Sequence, residues 1–276
     1  MHFTLVLLLL HTSSSVPSTI DHFDAISALQ AGQFSSLETH FASVQANFER
    51  GSISENELVD AYSLAYPKDG MRTGQFDKWV EKYPNSYYSH LARGIYNEKL
   101  GEFMRGSEYA SKTPPSGLAA MAALQTSAFK DLKISLNLNP RPYLSILHLL
   151  NIANWQGDDK AADDYLAMGN RLFPQNSRIR MRYLIHLEPR WGGSYPAMQS
   201  FIERSRTEGA GKKFIAGMEA IEYQDMGCAS WESRNLAVAK KQFQQALEFG
   251  RKSSTGFVES NLQCAERFFS EKPADR

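Results

Sequence analysis

The sequence predicts an all-α fold, and three observations carry that prediction. Apolar residues recur every three or four positions along almost the whole chain, which is the spacing of one face of an α-helix. Runs with strict apolar–polar alternation and β-branched residues, which are typical of strands, are scarce. Hydrophobic residues make up 42% and charged residues 22% of the 276 positions, so the composition is that of a globular protein.

The amino terminus carries a short apolar run, FTLVLLLL, at positions 3–10. A bilayer span needs about 20 apolar residues, so this run fits the core of a signal peptide better, with small residues Ser13 and Ser15 before a cleavage site. We expect residues 1–16 to be a signal peptide and residues 17–276 to be a single helical-repeat domain without an integral membrane segment. The mature protein is then periplasmic or secreted; if the run is not a signal, the protein is cytoplasmic.

The first helices after this segment are marked by their capping residues. Ser35 and Glu38 have the spacing of a capping box, and Gly51 supplies an end for the same helix. Ser54 and Glu57 repeat the capping pattern at the start of the next helix. Because Ser or Thr followed three positions later by Glu satisfies free backbone N–H groups, each pair predicts a helix start.

Proline and glycine residues divide the middle of the chain into further helices. We expect a short helix over 73–82, a longer one from Ser86 toward Pro114, and an alanine-rich one over 117–136. The Asp69-Gly70 pair between helical segments is interpreted as a connector. A helix that begins at Asp158 or Asp159 carries Gly169, whose small size allows close contact with a neighbouring helix.

The carboxyl-terminal region continues the same pattern. Two stripes at helical spacing predict two more helices: Leu236, Ala239, Phe243 and Leu247, and then Val258, Leu262, Ala265 and Phe269. The whole chain is expected to contain roughly ten to twelve helices, and short loops between them favour stacked antiparallel hairpins.

An internal repeat is suggested by two similar helix junctions, Tyr83-Pro84-Asn85-Ser86 and Phe173-Pro174-Gln175-Asn176-Ser177. Pro84 and Pro174 are 90 positions apart, which is not far from two and a half to three copies of the tetratricopeptide unit of roughly 34 residues. The Trp, Leu-Gly and Tyr positions of a regular first helix are mostly missing. We therefore predict a degenerate, tetratricopeptide-like right-handed solenoid.

Two segments carry a resemblance to a known family. The stretch FDKWVEKYPNSYYSHLARG includes Trp79, Pro84, Ser86 and the Ala-Arg-Gly triplet at 92–94, and a later stretch, 189–194, reads PRWGGS. Over about residues 35–250 the chain resembles a bacterial family of helical-repeat proteins that is known only as a domain of unknown function. The resemblance implies a fold and no chemistry.

The PRWGGS segment is a candidate contact site. Arg190 supplies a cation, Trp191 a large apolar anchor, and Ser194 a cap for the following helix. The Lys-Ser/Thr pair of a nucleotide-binding P-loop does not follow the two glycines. Two interpretations stay open: a structural knob and brace between repeats, or a contact with a ligand or partner.

Basic and aromatic residues supply further candidate binding positions. Arg178 and Arg182 are four positions apart, so they share one helical face and offer a basic patch to an acidic partner. Salt bridges to neighbouring helices are the alternative. Tyr87, Tyr88 and Trp191 are candidate anchors on a concave surface.

Several function classes are disfavoured. Lys and Arg total 30 and Asp and Glu total 30, so the net charge of zero argues against nucleic-acid binding. We find no His–Glu zinc motif, nucleophile elbow or metal-ligand spacing, so no catalytic site, cofactor or metal is predicted. Cys228 and Cys264 leave two alternatives open, a disulfide or a pair of buried free thiols.

These observations favour a non-catalytic protein-binding or scaffold function, because stacked helix pairs form an extended concave surface for a protein or peptide. An immunity-type inhibitor of a toxin is one alternative. Another is an enzyme with an unrecognised site in the groove, which would require polar groups that converge in one pocket and have shifted pKa values.

Overall fold

The computed structural model describes residues 23–66, 71–106, 113–254, 258 and 261–270. Within these residues the chain forms thirteen α-helices and two short 3-10 helices and no strand, which confirms the all-α class. The predicted signal peptide, residues 1–16, and the Asp69-Gly70 connector lie outside the described residues.

The first half of the described chain contains seven helices. They are α1 (Ala25–Gln30), α2 (Phe34–Glu49), α3 (Glu55–Ala61), α4 (Thr73–Lys82), α5 (Tyr87–Arg105), α6 (Pro115–Leu138) and α7 (Tyr143–Gln156). A 3-10 turn at Ser63–Ala65 follows α3, so the helix that begins at Ser54 is tightened before it ends.

The second half contains six helices. They are α8 (Asp159–Leu172), α9 (Arg178–His186), α10 (Tyr195–Thr207), α11 (Lys212–Glu232), α12 (Leu236–Lys252) and α13 (Gln263–Ser270). The PRWGGS segment forms the second 3-10 turn at Pro189–Trp191. In α13 the fully buried aromatic residue is Phe268 and not the predicted Phe269.

Four predicted helix starts are confirmed by side-chain caps. The Ser54 hydroxyl accepts from the Glu57 backbone, and the Glu57 carboxylate accepts from the Ser54 backbone, so this capping box is complete. Ser86, Asp158 and Ser194 cap α5, α8 and α10 through their side chains. Each cap satisfies an N–H group that has no partner inside its helix.

The predicted capping box of Ser35 and Glu38 is wrong. Helix α2 begins at Phe34, so Ser35 lies inside its first turn, and Gln33 precedes the helix without a side-chain cap. The Glu38 carboxylate accepts instead from Trp79 Nε1 and Ser86 Oγ, both at 2.7 Å. A tertiary contact with two donors therefore takes the group that the local pattern assigned to a cap.

Helix α7 lies at the centre of the molecule. Every residue from Tyr143 to Ala153 is buried, and the helix contacts α5, α6, α8 and α9. A helix that is apolar on all sides has no amphipathic stripe, because it has no solvent face. For this reason the periodicity of the sequence did not single it out.

Alternate helices lie side by side from α5 to α11. Successive helices pack together, most closely α5 with α6 and α11 with α12, while α5 also contacts α7, α7 contacts α9, and α9 contacts α11. One face of this row, formed by α5, α7 and α9, carries the cavities described below.

The amino-terminal helices close against the middle of the chain. The Phe48 ring of α2 lies 5.0 Å from the Tyr143 ring and 5.8 Å from the Phe173 ring. The Glu55 carboxylate, at the start of α3, accepts from the backbone N–H groups of Ser177 and Arg178 at 3.0 Å each. Glu55 therefore caps α9 from 122 positions earlier in the chain, since Ser177 itself makes no side-chain cap.

The Ala-Arg-Gly triplet of the first motif joins α5 to α6. Arg93 Nε donates to Asp131 Oδ2 at 2.7 Å, and His90 Nδ1 lies 2.8 Å from Asp131 Oδ1. A Cβ atom added to Gly94 would lie 2.7 Å from Leu132 Cγ. These residues thus have structural roles in a close helix pair.

Candidate functional site

Two adjoining cavities open on the face formed by α5, α7 and α9. The larger has a volume of about 230 Å³ and the smaller about 30 Å³. They share the side chains of Asn151, Arg182 and Ile185 in their walls. We refer to the two together as the cleft.

The floor of the larger cavity is a chain of buried polar groups. His148 contacts the Glu98 carboxylate through Nδ1 and the Tyr66 hydroxyl through Nε2, the latter at 2.9 Å. Asn151 Nδ2 donates to Glu98 as well. Because a carboxylate only accepts hydrogen bonds, Nδ1 of His148 donates to Glu98, and Nε2 is the ring atom that bonds the Tyr66 hydroxyl.

Glu98 is ionised although it is fully buried. Burial by itself favours the neutral acid, but the charges of Lys99 and His148 and the hydrogen bonds from His148 and Asn151 outweigh burial and hold the pKa of Glu98 well below its ordinary value. Burial and the nearby Glu98 charge raise the pKa of Tyr66 well above its ordinary value, so this phenol stays protonated.

Three cations border the larger cavity. Lys99 Nζ lies 3.1 Å from both Glu98 and Glu102, so its charge is balanced by carboxylates. Arg178 donates from Nε to Asn56 Oδ1 at 2.8 Å. In the part of the chain that the structure describes, neither Arg178 nor Arg182 has a carboxylate within ion-pair distance.

The smaller cavity lies beside a pair of tryptophans. The Trp155 and Trp191 rings meet edge to face with centroids 5.0 Å apart. Trp155 Nε1 donates to Glu102 at 3.0 Å, and the Arg105 guanidinium lies 4.9 Å from the centre of the Trp155 ring. Trp191 remains 38% exposed, so its indole is accessible at the mouth of this cavity.

The turn that carries Trp191 is held in place by two ion pairs and a close backbone contact. Arg190 binds the buried carboxylates of Glu188 at 2.7 Å and Asp225 at 3.1 Å. Burial raises the pKa values of both acids, although Arg190 opposes this effect. A Cβ atom at Gly193 would lie 2.1 Å from the Leu187 carbonyl oxygen, so the second glycine is required by a close backbone contact.

The structure distributes the six candidate binding residues unevenly. Arg178, Arg182 and Trp191 border the cleft. Arg190 precedes Trp191 in the same turn and forms ion pairs with Glu188 and Asp225, which agrees with the interpretation of this residue as a structural brace. Tyr87 is buried, 6% exposed, and half-buried Tyr88 contacts its ring edge to face. Neither tyrosine borders the cleft, so Tyr87 in particular offers no surface anchor.

Sequence reasoning missed the polar floor of the cleft. Glu98 and His148 are 50 positions apart, and Tyr66 and His148 are 82 positions apart, so no local spacing connects them. The one signal in the sequence was a His and two Asn residues inside the apolar run of α7, since buried polar groups require partners.

A third cavity, of about 390 Å³, lies between α1, α2 and α3. Its walls combine apolar side chains with the acids Asp24, Glu57 and Asp60. None of the candidate binding residues borders it, and among the described residues of its wall no Lys or Arg is present. Of these three cavities, the two that form the cleft are therefore the ones whose described walls combine buried polar groups with cations.

Cys228 of α11 and Cys264 of α13 are joined by a disulfide, and their Cα atoms are 6.4 Å apart. The bond connects the last described helix to the body of the molecule. Trp231 and Phe243 pack on Phe268 beside it, with ring centroids 5.3 and 5.0 Å from that of Phe268.

Among the described residues, no group of three or more His, Cys, Asp or Glu side chains is arranged to hold a metal ion. No described helix combines the length and apolar character that crossing a membrane requires. Comparisons with protein-family models, curated proteins and solved structures give no match for this chain. The case for a function therefore rests on the geometry of the cleft.

Proposed function

We propose that the protein is a non-catalytic binding protein that holds an acidic segment of a protein or peptide partner in the cleft. The observation that carries this proposal is the pair of half-buried arginines, Arg178 and Arg182, which border one cavity without a carboxylate partner in the described chain. Partly desolvated guanidinium groups interact strongly with carboxylates, because charge-assisted bidentate hydrogen bonds form in a medium of low dielectric constant.

The surroundings of the two arginines support a preformed site. Arg178 is held at the start of α9 by the Glu55 cap and by the bond from its side chain to Asn56. Arg182 lies one turn further along the same helix. A rigid site loses little side-chain entropy on binding, and the adjacent Trp155–Trp191 pair adds apolar contact area of the kind that dominates interfaces.

We also propose a specific arrangement of the helices. Side-by-side contacts among α5, α7, α9 and α11 support a degenerate tetratricopeptide-like solenoid with the cleft on its concave face. Membership of the helical-repeat family that the two motifs resemble, and export to the periplasm, are also proposed on the sequence patterns alone.

The direct test uses acetylated pentaglutamate as a probe, with pentalysine as its charge-reversed control. We expect the full chain to bind the acidic peptide, and Arg182→Ala to weaken binding by about 10- to 100-fold, the range for one charged hydrogen-bonding group. Fluorescence anisotropy at two salt concentrations gives the affinities. Arg171→Ala is the matched control, because Arg171 is exposed at the end of α8 and borders neither cavity.

Affinity capture from the native host, with crosslinking and mass spectrometry, then identifies the partner. A partner retained by the wild type and by Arg171→Ala but lost by Arg182→Ala supports the proposal. Equal affinity of wild type and Arg182→Ala for the acidic peptide contradicts it.

A second candidate, an enzyme, is favoured by one observation, the Glu98–His148–Tyr66 chain at the cavity floor. A carboxylate that orients an imidazole toward a hydroxyl is the arrangement of a general-base pair. Hydrolysis of p-nitrophenyl acetate or p-nitrophenyl phosphate above the solvent rate, lost in His148→Gln and retained in Arg171→Ala, would support this candidate. Rates equal to the solvent rate would argue against it for these two substrates.

A further inference from the structure

The smaller cavity contains two buried polar atoms without a partner. Asn154 Oδ1 and His186 Nδ1 make no hydrogen bond, and both residues belong to the wall of this cavity. His186 is only 4% exposed. Nearly all buried polar groups in folded proteins have a partner, so two unpaired atoms at one small cavity indicate a place for a bound group.

Both unpaired atoms are acceptors. His186 Nε2 lies 2.9 Å from Asp159 Oδ1, and because a carboxylate only accepts, Nε2 donates to Asp159, which leaves Nδ1 as the acceptor of the imidazole tautomer that makes this bond. Asn154 Nδ2 donates to the Arg182 carbonyl oxygen at 3.2 Å, which places the amide oxygen, Oδ1, on the unpaired side. A group bound here must therefore present two donors.

The third polar group at this cavity is a donor. The side chain of Arg182 borders the smaller cavity as well as the larger one, and its guanidinium has no ion-pair partner in the described chain. Its charge disfavours an ammonium or guanidinium ligand. A carboxylate in this position lacks donors for Asn154 and His186.

We propose that the smaller cavity is a subsite for a primary carboxamide, the side-chain end of an Asn or Gln in the bound segment. The two N–H bonds of such a group match Asn154 Oδ1 and His186 Nδ1, and its carbonyl oxygen can accept from Arg182. A cavity of about 30 Å³ holds a group of this small size.

This inference rests on the proposed function and adds specificity to it. Arg178 and Arg182 would hold an acidic residue in the larger cavity, and the neighbouring Asn or Gln would enter the smaller one. Because the two cavities share Asn151, Arg182 and Ile185, residues adjacent or nearly adjacent in one peptide can reach both.

The test uses capped peptides of the forms acetyl-Glu-X and acetyl-Glu-Gly-X. Each ends in an N-methylamide, so that only X can provide a primary carboxamide. X is Gln, Asn, Met, Glu or Lys, and Met is the near-isosteric control for Gln. Peptides in which Ala replaces the Glu form a second series, and affinities are measured by tryptophan fluorescence on the full chain.

We expect the best Gln or Asn peptide to bind at least about 10-fold more tightly than the Met peptide, because loss of the donors leaves buried acceptors unpaired. Asn154→Leu should remove this preference and leave the Glu-over-Ala preference intact. If that variant does not fold, judged by circular dichroism, the comparison of Gln with Met on the wild type still decides the question.

Two results would overturn the inference alone: equal binding of the Gln and Met peptides, which means that water alone fills the subsite, or tightest binding of the Lys peptide. No binding of any peptide would overturn the inference together with the proposed function. Failure of the proposed function has a different signature. In that case replacement of Glu by Ala has no effect, whatever the residue at X.

Discussion

Glu98 keeps a negative charge in the interior because the favourable interactions with its neighbours outweigh the free-energy cost of burying a carboxylate. Its carboxylate is completely buried and yet contacts His148, Asn151 and Lys99. A charge in such a place is stable only while its partners are present. The residue therefore couples the protonation of the floor of the cleft to the stability of the fold.

We expect Glu98→Gln to destabilise the protein by about 3 kcal/mol at pH 7, the range for breaking a buried ion pair. The folded pKa of Glu98 lies below the ordinary value of 4.5. Its stabilisation is therefore complete above that pH and is lost as the pH falls toward the folded pKa. Below pH 4.5, the difference in the free energy of unfolding between wild type and variant should decrease by about 1.4 kcal/mol per pH unit.

Urea denaturation at pH 7, 4 and 3 measures this gap. Glu81→Gln, at an exposed position of α4, is the control and should track the wild type at each pH. A gap that stays constant between pH 7 and pH 3 would show that the charge of Glu98 does not stabilise the fold.

At the scale of residues, the sequence predicted the arginines at the border of the cleft better than the buried polar groups at its floor. Arg178 and Arg182 follow from a spacing of four on one helix. The contacts of Glu98 with His148 and of Tyr66 with His148 span 50 and 82 positions and depend on how three elements pack. Tyr87 shows the opposite error, since an aromatic residue near a helix start suits a buried position as well as an exposed one.

Three helices of this molecule place a glycine directly against a large side chain of another helix: Gly94 against Leu132, Gly169 against Ile179, and Gly227 against Phe243. In α11, a Cβ atom at Gly227 would lie 2.5 Å from two carbons of the Phe243 ring of α12. Phe243 is fully buried, so its ring has little room to move. The α11–α12 pair therefore depends on the absence of a single methyl group.

Gly227→Ala should destabilise the protein by about 1–3 kcal/mol, because the added methyl overpacks a filled contact. Gly74→Ala is the matched control. Gly74 also lies in a helix, but a Cβ atom added there would meet no neighbouring atom within 4 Å, so this change should be neutral or stabilise by up to about 1 kcal/mol. Thermal unfolding of both variants tests the pair, and a Gly227→Ala protein as stable as Gly74→Ala would refute the overpacking argument.

At the scale of helices, prediction succeeded where the boundary signals were local. The box of Ser54 with Glu57 and the caps at Ser86 and Ser194 depend on residues within one turn, and the structure contains them. The box of Ser35 with Glu38 failed because Glu38 binds Trp79 and Ser86 from other helices. Periodicity likewise reveals half-buried helices and gives no stripe for α7, which is buried on all sides.

At the scale of the whole molecule, one disulfide bond joins the last described helix, α13, to α11. Cys228 and Cys264 are separated by 36 positions, and a disulfide over such a loop stabilises a fold by about 4 kcal/mol in the chain-entropy model. We expect replacement of both cysteines by alanine to lower the free energy of unfolding by about that amount. Urea denaturation measures it.

Dithiothreitol should have the same effect on the wild type and no effect on the double variant. A thiol titration of the denatured protein, taken from its native compartment, should detect no free cysteine. Two free thiols there would contradict both the bond and the predicted export, because reducing compartments keep thiols reduced.

The cap that Glu55 provides for α9 also sets an order of events during synthesis. Glu55 leaves the ribosome 122 residues before Ser177, the residue whose N–H group it accepts. Because α9 has no side-chain cap of its own, its first turn gains its partner only when that earlier segment is already in place. The first turn of α9 therefore completes its hydrogen bonds only when two segments that leave the ribosome 122 residues apart have met, so this wall of the cleft depends on a contact between distant parts of the chain.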